Sequence, residues 1–100
     1  MPSFQVKSSH SLGRDAAKER LSHFADRVAE QYKDSVSRLE SRWEEHQLNF
    51  NITAYGFTFS GVVTVEHDEV VMDGTLPFAA LPFRGRIESG FASELQRALR

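Results

Sequence analysis

Four histidines, His10, His23, His46 and His67, are the side chains of this sequence best suited to bind a metal or move a proton. A metal site written on one element would show them at short spacing, as in His-x-x-x-His. They are scattered instead, with His46 and His67 in expected hairpin turns, so no metal ion and no cofactor is expected. His10 stands just before a helical stretch and suits a role in steadying its start. Serines are plentiful, yet nucleophilic catalysis also needs a neighbouring base and an oxyanion hole. No Gly-x-Ser-x-Gly occurs. Neither GRDAAKER nor YGFTFSG has the glycine spacing and the Lys-Ser or Lys-Thr of a phosphate-binding loop. The carboxylates Glu44–Glu45 and Glu66, Asp68 and Glu69 fall at strand ends and turns, where charge is normally hydrated, and nothing in the pattern argues for the burial that a general acid needs. Cysteine is absent, which removes disulfides, thiolate ligands and thiol catalysis. The expectation is a protein that is not an enzyme, with no catalytic residue.

The side chains left for function are apolar. The segment LPFAALPFRGRIE, Leu76 to Glu88, repeats Leu-Pro-Phe on either side of two alanines. Pro77 ends a strand. Pro82 suits the first turn of a helix, where its missing N–H costs nothing. Phe83 continues the stripe of the following helix and is expected to pack inward. Phe78 and Leu81 are the residues expected to face outward, so Phe78, Leu81 and Phe83 form the candidate binding patch. Trp43, in SRWEEH, has the parity of Leu39 and reads first as core. Its alternative is an anchor for a partner, a position where Trp often dominates binding.

The elements that must carry these residues follow from periodicity. SFQVKSS alternates and reads as an edge or near-edge strand. In SLGRDAAKERLSHFADRVAEQYK the apolar residues Leu12, Ala16, Ala17, Leu21, Phe24, Ala25, Val28, Ala29 and Tyr32 recur by threes and fours, which predicts one amphipathic helix. Ser11 is its expected N-cap, and Asp15 lies near the positive end of its dipole. From Ser37 the period becomes two. Leu39 and Trp43, then Leu48, Phe50 and Ile52, then Phe57, Phe59, Gly61, Val63 and Val65, then Val70, Met72, Gly74 and Leu76 mark four strands joined by short hairpins. Gly61 and Gly74 fall on the inward face, where a bend or a close crossing is expected. Phe83, Ile87, Phe91, Leu95 and Ala98 then predict a last amphipathic helix. Gly85 and Gly90 weaken it by roughly 1 kcal/mol each, so it needs a surface to lie on. The expected fold is α+β: a curved antiparallel β-sheet with two amphipathic helices on one face, in the order β-α-β-β-β-β-α.

Bulk properties narrow the function classes. One hundred residues, 40% hydrophobic and 26% charged, suit a single globular domain over residues 1–100. A net charge of −2 argues against nucleic acid as a partner. No run is long and apolar enough for a transmembrane segment, and MPSFQVKSSH has no signal-peptide core. A bacterial-style cytoplasmic location is expected. Residues 66–73 carry four carboxylates and no Lys or Arg, whereas residues 84–100 carry four Arg against two Glu. The last helix is therefore apolar on one side and basic elsewhere, a pattern that can lie on a lipid-like interface but is more common as a core helix with its arginines in solvent. Residues 3–8, or the apolar connection, leave a homo-oligomer open.

Three stretches, SHSLGRDAAKERLSHFADRVA, RWEEHQLNFNITAYGFTFSGVVTVEHDEVVMDGTLP and LPFRGRIESGFASELQRAL, cover nearly the whole chain. In the order and spacing of His10, Leu12, Gly13, Trp43, Phe50, Gly56, Gly61, Leu76, Pro77, Phe83, Gly85, Ile87 and Glu88 the sequence resembles the small bacterial polyhydroxyalkanoic acid system proteins. The resemblance implies a link to storage-polyester accumulation, with the granule surface or granule proteins as partners, and no catalytic residue to carry over. On that basis a non-enzymatic interaction protein, cytoplasmic and granule-associated, is expected. The alternative is a small hydrophobic-ligand or acyl-chain binding domain of the helix-grip type, with Trp43, Phe57, Phe59 and Met72 lining a cavity.

Overall fold

A computed structural model describes residues 2–100. Its elements are β1 (Ser3–Ser9), α1 (Arg14–Leu21), α2 (Phe24–Gln31), β2 (Val36–Glu44), β3 (Gln47–Ala54), β4 (Phe57–Val65), β5 (Glu69–Thr75), a 3-10 helix (Phe78–Phe83) and α3 (Arg84–Leu99). The strands form one antiparallel sheet in the order β1-β5-β4-β3-β2, so the first strand returns to pair with the last. β2 to β5 make a meander. The hairpin Tyr55–Gly56 has positive φ at both turn residues, the arrangement that matches strand twist.

The alternation seen in the sequence becomes one dry face. Phe4, Val6, Leu48, Phe50, Ile52, Phe59, Val63, Val65, Val70 and Met72 join Ala17, Leu21, Phe24, Val28 and Leu95 of the helices in a single buried cluster. All three helices thus serve the same side of the sheet. One row of this face explains the inward glycines. Ser41, Phe50, Gly61, Gly74 and Phe4 stand opposite one another across five strands. A Cβ on Gly61 would lie 2.8 Å from the Phe50 ring, and one on Gly74 would collide with the ring of Phe4. The missing side chains let both rings lie down over the central strands. Phe91 of α3 then covers them, 5.9 Å from Phe4 and 6.0 Å from Phe50 between ring centroids.

Four local expectations are corrected. The first helix is not continuous: it breaks at Ser22 and His23. The Ser22 amide and hydroxyl both donate to the Glu19 carbonyl, at 3.1 and 2.7 Å, which tightens the turn and ends α1. The apolar spacing survives the break, because Ala17 and Leu21 precede it and Phe24 and Val28 follow it, all buried. Ser11 does not cap α1. Gly13 occupies that position with φ 83° and no side-chain cap bond. Pro82 lies inside the 3-10 helix, ahead of α3 rather than in its first turn. Phe83, expected to pack inward, is 47% exposed, because the 3-10 helix turns the chain before α3 settles on the sheet.

Candidate functional site

The residues singled out by sequence gather at one end of the sheet, with one exception. Pro77 opens the 3-10 helix, and Ala80 anchors it in the core. Three residues make one turn of such a helix, so Phe78 and Leu81 lie on one side of it. They are 71% and 38% exposed. Phe83 rests against Phe57, whose ring is 6.5 Å away, and Phe57 in turn meets Phe59 at 6.4 Å. The result is an aromatic corner continuous with the core. Arg84 and Arg86, both exposed, follow directly.

Trp43 is the exception. It stands opposite Leu48, which stands opposite Val63, six residues along β4 from Phe57. At about 3.3 Å per residue that is roughly 20 Å from the aromatic corner. Trp43 is half-buried and packs on the core edge, with the Lys18 ammonium 5.4 Å above its ring. The same register separates the four residues suggested as a cavity lining. Phe57 and Trp43 lie at opposite ends, while Phe59 and Met72 are buried between them. They do not surround one space.

The opposite end of the molecule is a polar clasp. The His10 ring bridges two elements: its Nδ1 accepts the Leu12 amide at 3.1 Å, and its Nε2–H donates to the Glu66 carbonyl at 3.1 Å. This ties the entry of α1 to the β4–β5 turn, the steadying role expected for His10. His46, in the β2–β3 turn, donates to Asp15 of α1 at 2.9 Å. That hydrogen bond, and the charge of the ring, hold the Asp15 carboxyl below its usual range. Arg14 and Glu66 add an exposed ion pair at 3.6 Å. His23 lies in solvent beside Asp26. Among the described residues, no three His, Asp or Glu side chains converge to hold a metal ion. No helix among them is long and apolar enough to cross a membrane.

Sequence reasoning missed one residue. Glu94 is 2% exposed, its Oε1 lies 3.5 Å from Arg97, and its Oε2 has no hydrogen-bond partner. The available signal was position: Glu94 falls three residues after Phe91 and four before Ala98, on the buried stripe of α3. The outer face of the sheet mixes polar residues with Val62 and Val71. An open groove of about 880 Å³ runs over it, lined in part by Asn49, Asn51, Ser60, Asp73 and Thr75.

Comparison with curated proteins finds no significant match. Two solved structures align with nearly the whole chain. DynU16, from the dynemicin biosynthetic locus, aligns with a TM-score of 0.61 at 16% identity, over 97% of this chain and 46% of its own. The present chain thus spans about half the length of DynU16, and the likeness is one of fold. TTHA0849 from Thermus thermophilus aligns with a TM-score of 0.41 at 16% identity, over 98% of this chain and 94% of its own. The family described as "Putative polyhydroxyalkanoic acid system protein" matches residues 4–99, nearly the whole described fold. The chain belongs to this polyhydroxyalkanoic acid system protein family.

Proposed function

We propose that the protein works without catalysis, as an interaction module in polyhydroxyalkanoate accumulation, and that it touches the granule or a granule protein through its aromatic corner. Membership of the family supports the pathway. The observation that carries the contact is the exposure of Phe78, Leu81 and Phe83 on one short 3-10 helix that runs directly into the exposed Arg84 and Arg86. A solvent-facing apolar cluster is costly to keep unless something covers it, and such clusters mark binding surfaces. The adjoining arginines suit a surface that is apolar within and anionic at its boundary with water. On this reading the protein resides in the cytoplasm at the granule boundary.

The test is co-sedimentation with isolated polyester granules. Wild type is expected in the granule fraction, and a Phe78→Ser, Leu81→Ser double variant in the supernatant. Both residues are exposed, so the variant should keep the wild-type circular dichroism spectrum. Wild type remaining wholly in the supernatant beside granules, with and without granule proteins, would end the proposal.

A further inference from the structure

The sheet has two edges, β1 and β2. On β1, α3 takes up two of the backbone groups that point away from β5, the Ser3 carbonyl and the Gln5 N–H. The Gln5 N–H donates to Glu88 Oε2 at 3.2 Å, and the Arg84 guanidinium donates to the Ser3 carbonyl at 3.5 Å. On β2 the situation is reversed. Glu44 and Gln47 flank the two-residue turn Glu45–His46 and face each other across it. They form the hydrogen-bonded pair that closes the hairpin. By alternation Arg42, Glu40 and Arg38 also bond to β3, while Leu39, Ser41 and Trp43 aim their N–H and C=O groups outward. Among the described residues no side chain is hydrogen-bonded to those outward groups. The stretch from Arg38 to Glu44 contains no proline, and its one irregularity lies at its start, between Val36 and Arg38. Natural edges are usually blunted by proline, bulges, a covering element or charge, and of these the stretch from Arg38 to Glu44 carries only charge.

The charges on β2 then select a partner. Its solvent face reads Arg38, Glu40, Arg42, Glu44. We propose that this edge pairs antiparallel with the β2 edge of a second copy of the chain, about a two-fold axis at Ser41. In that register the outward groups of Ser41 meet those of its own counterpart, and Leu39 meets Trp43, so every outward backbone group finds a partner. At the same time Arg38 stands opposite Glu44 and Glu40 opposite Arg42, twice each by symmetry. Sliding the pairing so that the axis passes through Glu40 or Arg42 places like charges opposite one another. An axis at Leu39 or Trp43 keeps only half of the Arg–Glu pairs. The alternation therefore favours one register and penalises its neighbours. In the single chain the same side chains settle for exposed pairs along their own strand, Arg38 with Glu40 at 2.8 Å and Arg42 with Glu44, which are worth little. The dimer would be a continuous ten-stranded sheet with both aromatic corners on its helical side. It forms whether or not the aromatic corner meets a granule.

Sedimentation velocity over a concentration series provides the test, with charge-swapped variants. Wild type is expected to pass from monomer to dimer in the micromolar range. Arg38→Glu, Arg42→Glu makes the strand all acidic, and Glu40→Arg, Glu44→Arg makes it all basic. Each alone should dimerise at least ~10-fold more weakly, and an equimolar mixture should recover wild-type affinity. All four sites are exposed, so the folded monomer should persist by circular dichroism. Because the chain has no cysteine, Ser41→Cys gives a second readout. Air oxidation should link it to itself through the axis, where paired Cα atoms are about 5.5 Å apart, while Ser93→Cys on α3 should stay monomeric. A wild type that is monomeric near millimolar concentration, or a dimer whose affinity ignores both charge swaps, overturns the proposal.

Discussion

The two edges of the sheet solve the same physical problem differently. β1 is covered from the side over its first half, at Ser3 and Gln5. α3 lies against it, Phe91 stacks on Phe4, and Glu88 takes up the outward Gln5 amide. β2 carries its turn clasp at one end and a half-buried Trp43, but its middle is bare and Ser41 lies open to water. An element that packs across the end of a sheet removes that edge from intermolecular pairing, and here only one edge has such a cover. The consequence is an asymmetric molecule. α3 guards one edge, and the other is left for pairing.

The largest expected effect is on the covered side. Phe91→Ala removes the ring that covers both Phe4 and Phe50, and should cost about 3 kcal/mol in denaturant unfolding. A loss below about 1 kcal/mol would mean that α3 does not organise this edge. Next comes Gly74→Ala. Its Cβ would meet the Phe4 ring and lie 2.8 Å from the Ser60 carbonyl, so Phe4 must leave its place. A cost of about 2 kcal/mol is expected, together with shifted Phe4 and Phe91 ring resonances in NMR spectra. If those rings keep their wild-type resonances, the close approach is misassigned.

A finer contrast comes from Glu88→Ala, which should turn β1 into an edge more like β2. Global stability should fall by only about 0.5–1 kcal/mol, while amide exchange at Gln5 accelerates severalfold. Unchanged exchange at Gln5 would show that the carboxylate does not seal the strand. The smallest effect belongs to the clasp beside β2. The Asp15 carboxyl is held below its usual range by the His46 hydrogen bond and by the charge of that ring. A group of this kind stabilises the fold above its ordinary value, near pH 4, and loses that contribution as pH falls through the depressed one. The stability gap between wild type and Asp15→Asn should therefore be small near pH 6 and close on further acidification. A gap that widens in acid would contradict the pairing.

Much of the fold was legible because it rests on periodicity. Leu48, Phe50 and Ile52 could only alternate in a strand with one wet face, and the short turns left the meander as the economical path. Gly61 and Gly74 were legible as close-approach points. The His10 contact was legible in position, though its partners on Glu66 and Leu12 were not. What escaped were features decided by one or two hydrogen bonds or by a local turn. The break at Ser22 arises from a hydroxyl returning to Glu19, which no apolar pattern records. Phe83 has the right spacing for the stripe of α3, yet the 3-10 turn before the helix rotates it toward water. Glu94 has a core position and a solvent residue type, and position prevailed. Residues 3–8 read as an edge or near-edge strand, but that Glu88 and Arg84, distant in sequence, reach back to the Gln5 amide and the Ser3 carbonyl was not legible.

The amino-acid order alone determined the class of each element and the face each would bury, because hydrophobic spacing acts within a few residues. It also determined the Arg-Glu alternation on β2 and the doubled Leu-Pro-Phe. Which edge is covered, where the aromatic rings meet and whether Trp43 joins the exposed corner were settled only when α3 crossed the sheet. Contacts between residues far apart in the chain depend on how whole elements dock, and no local pattern encodes that geometry.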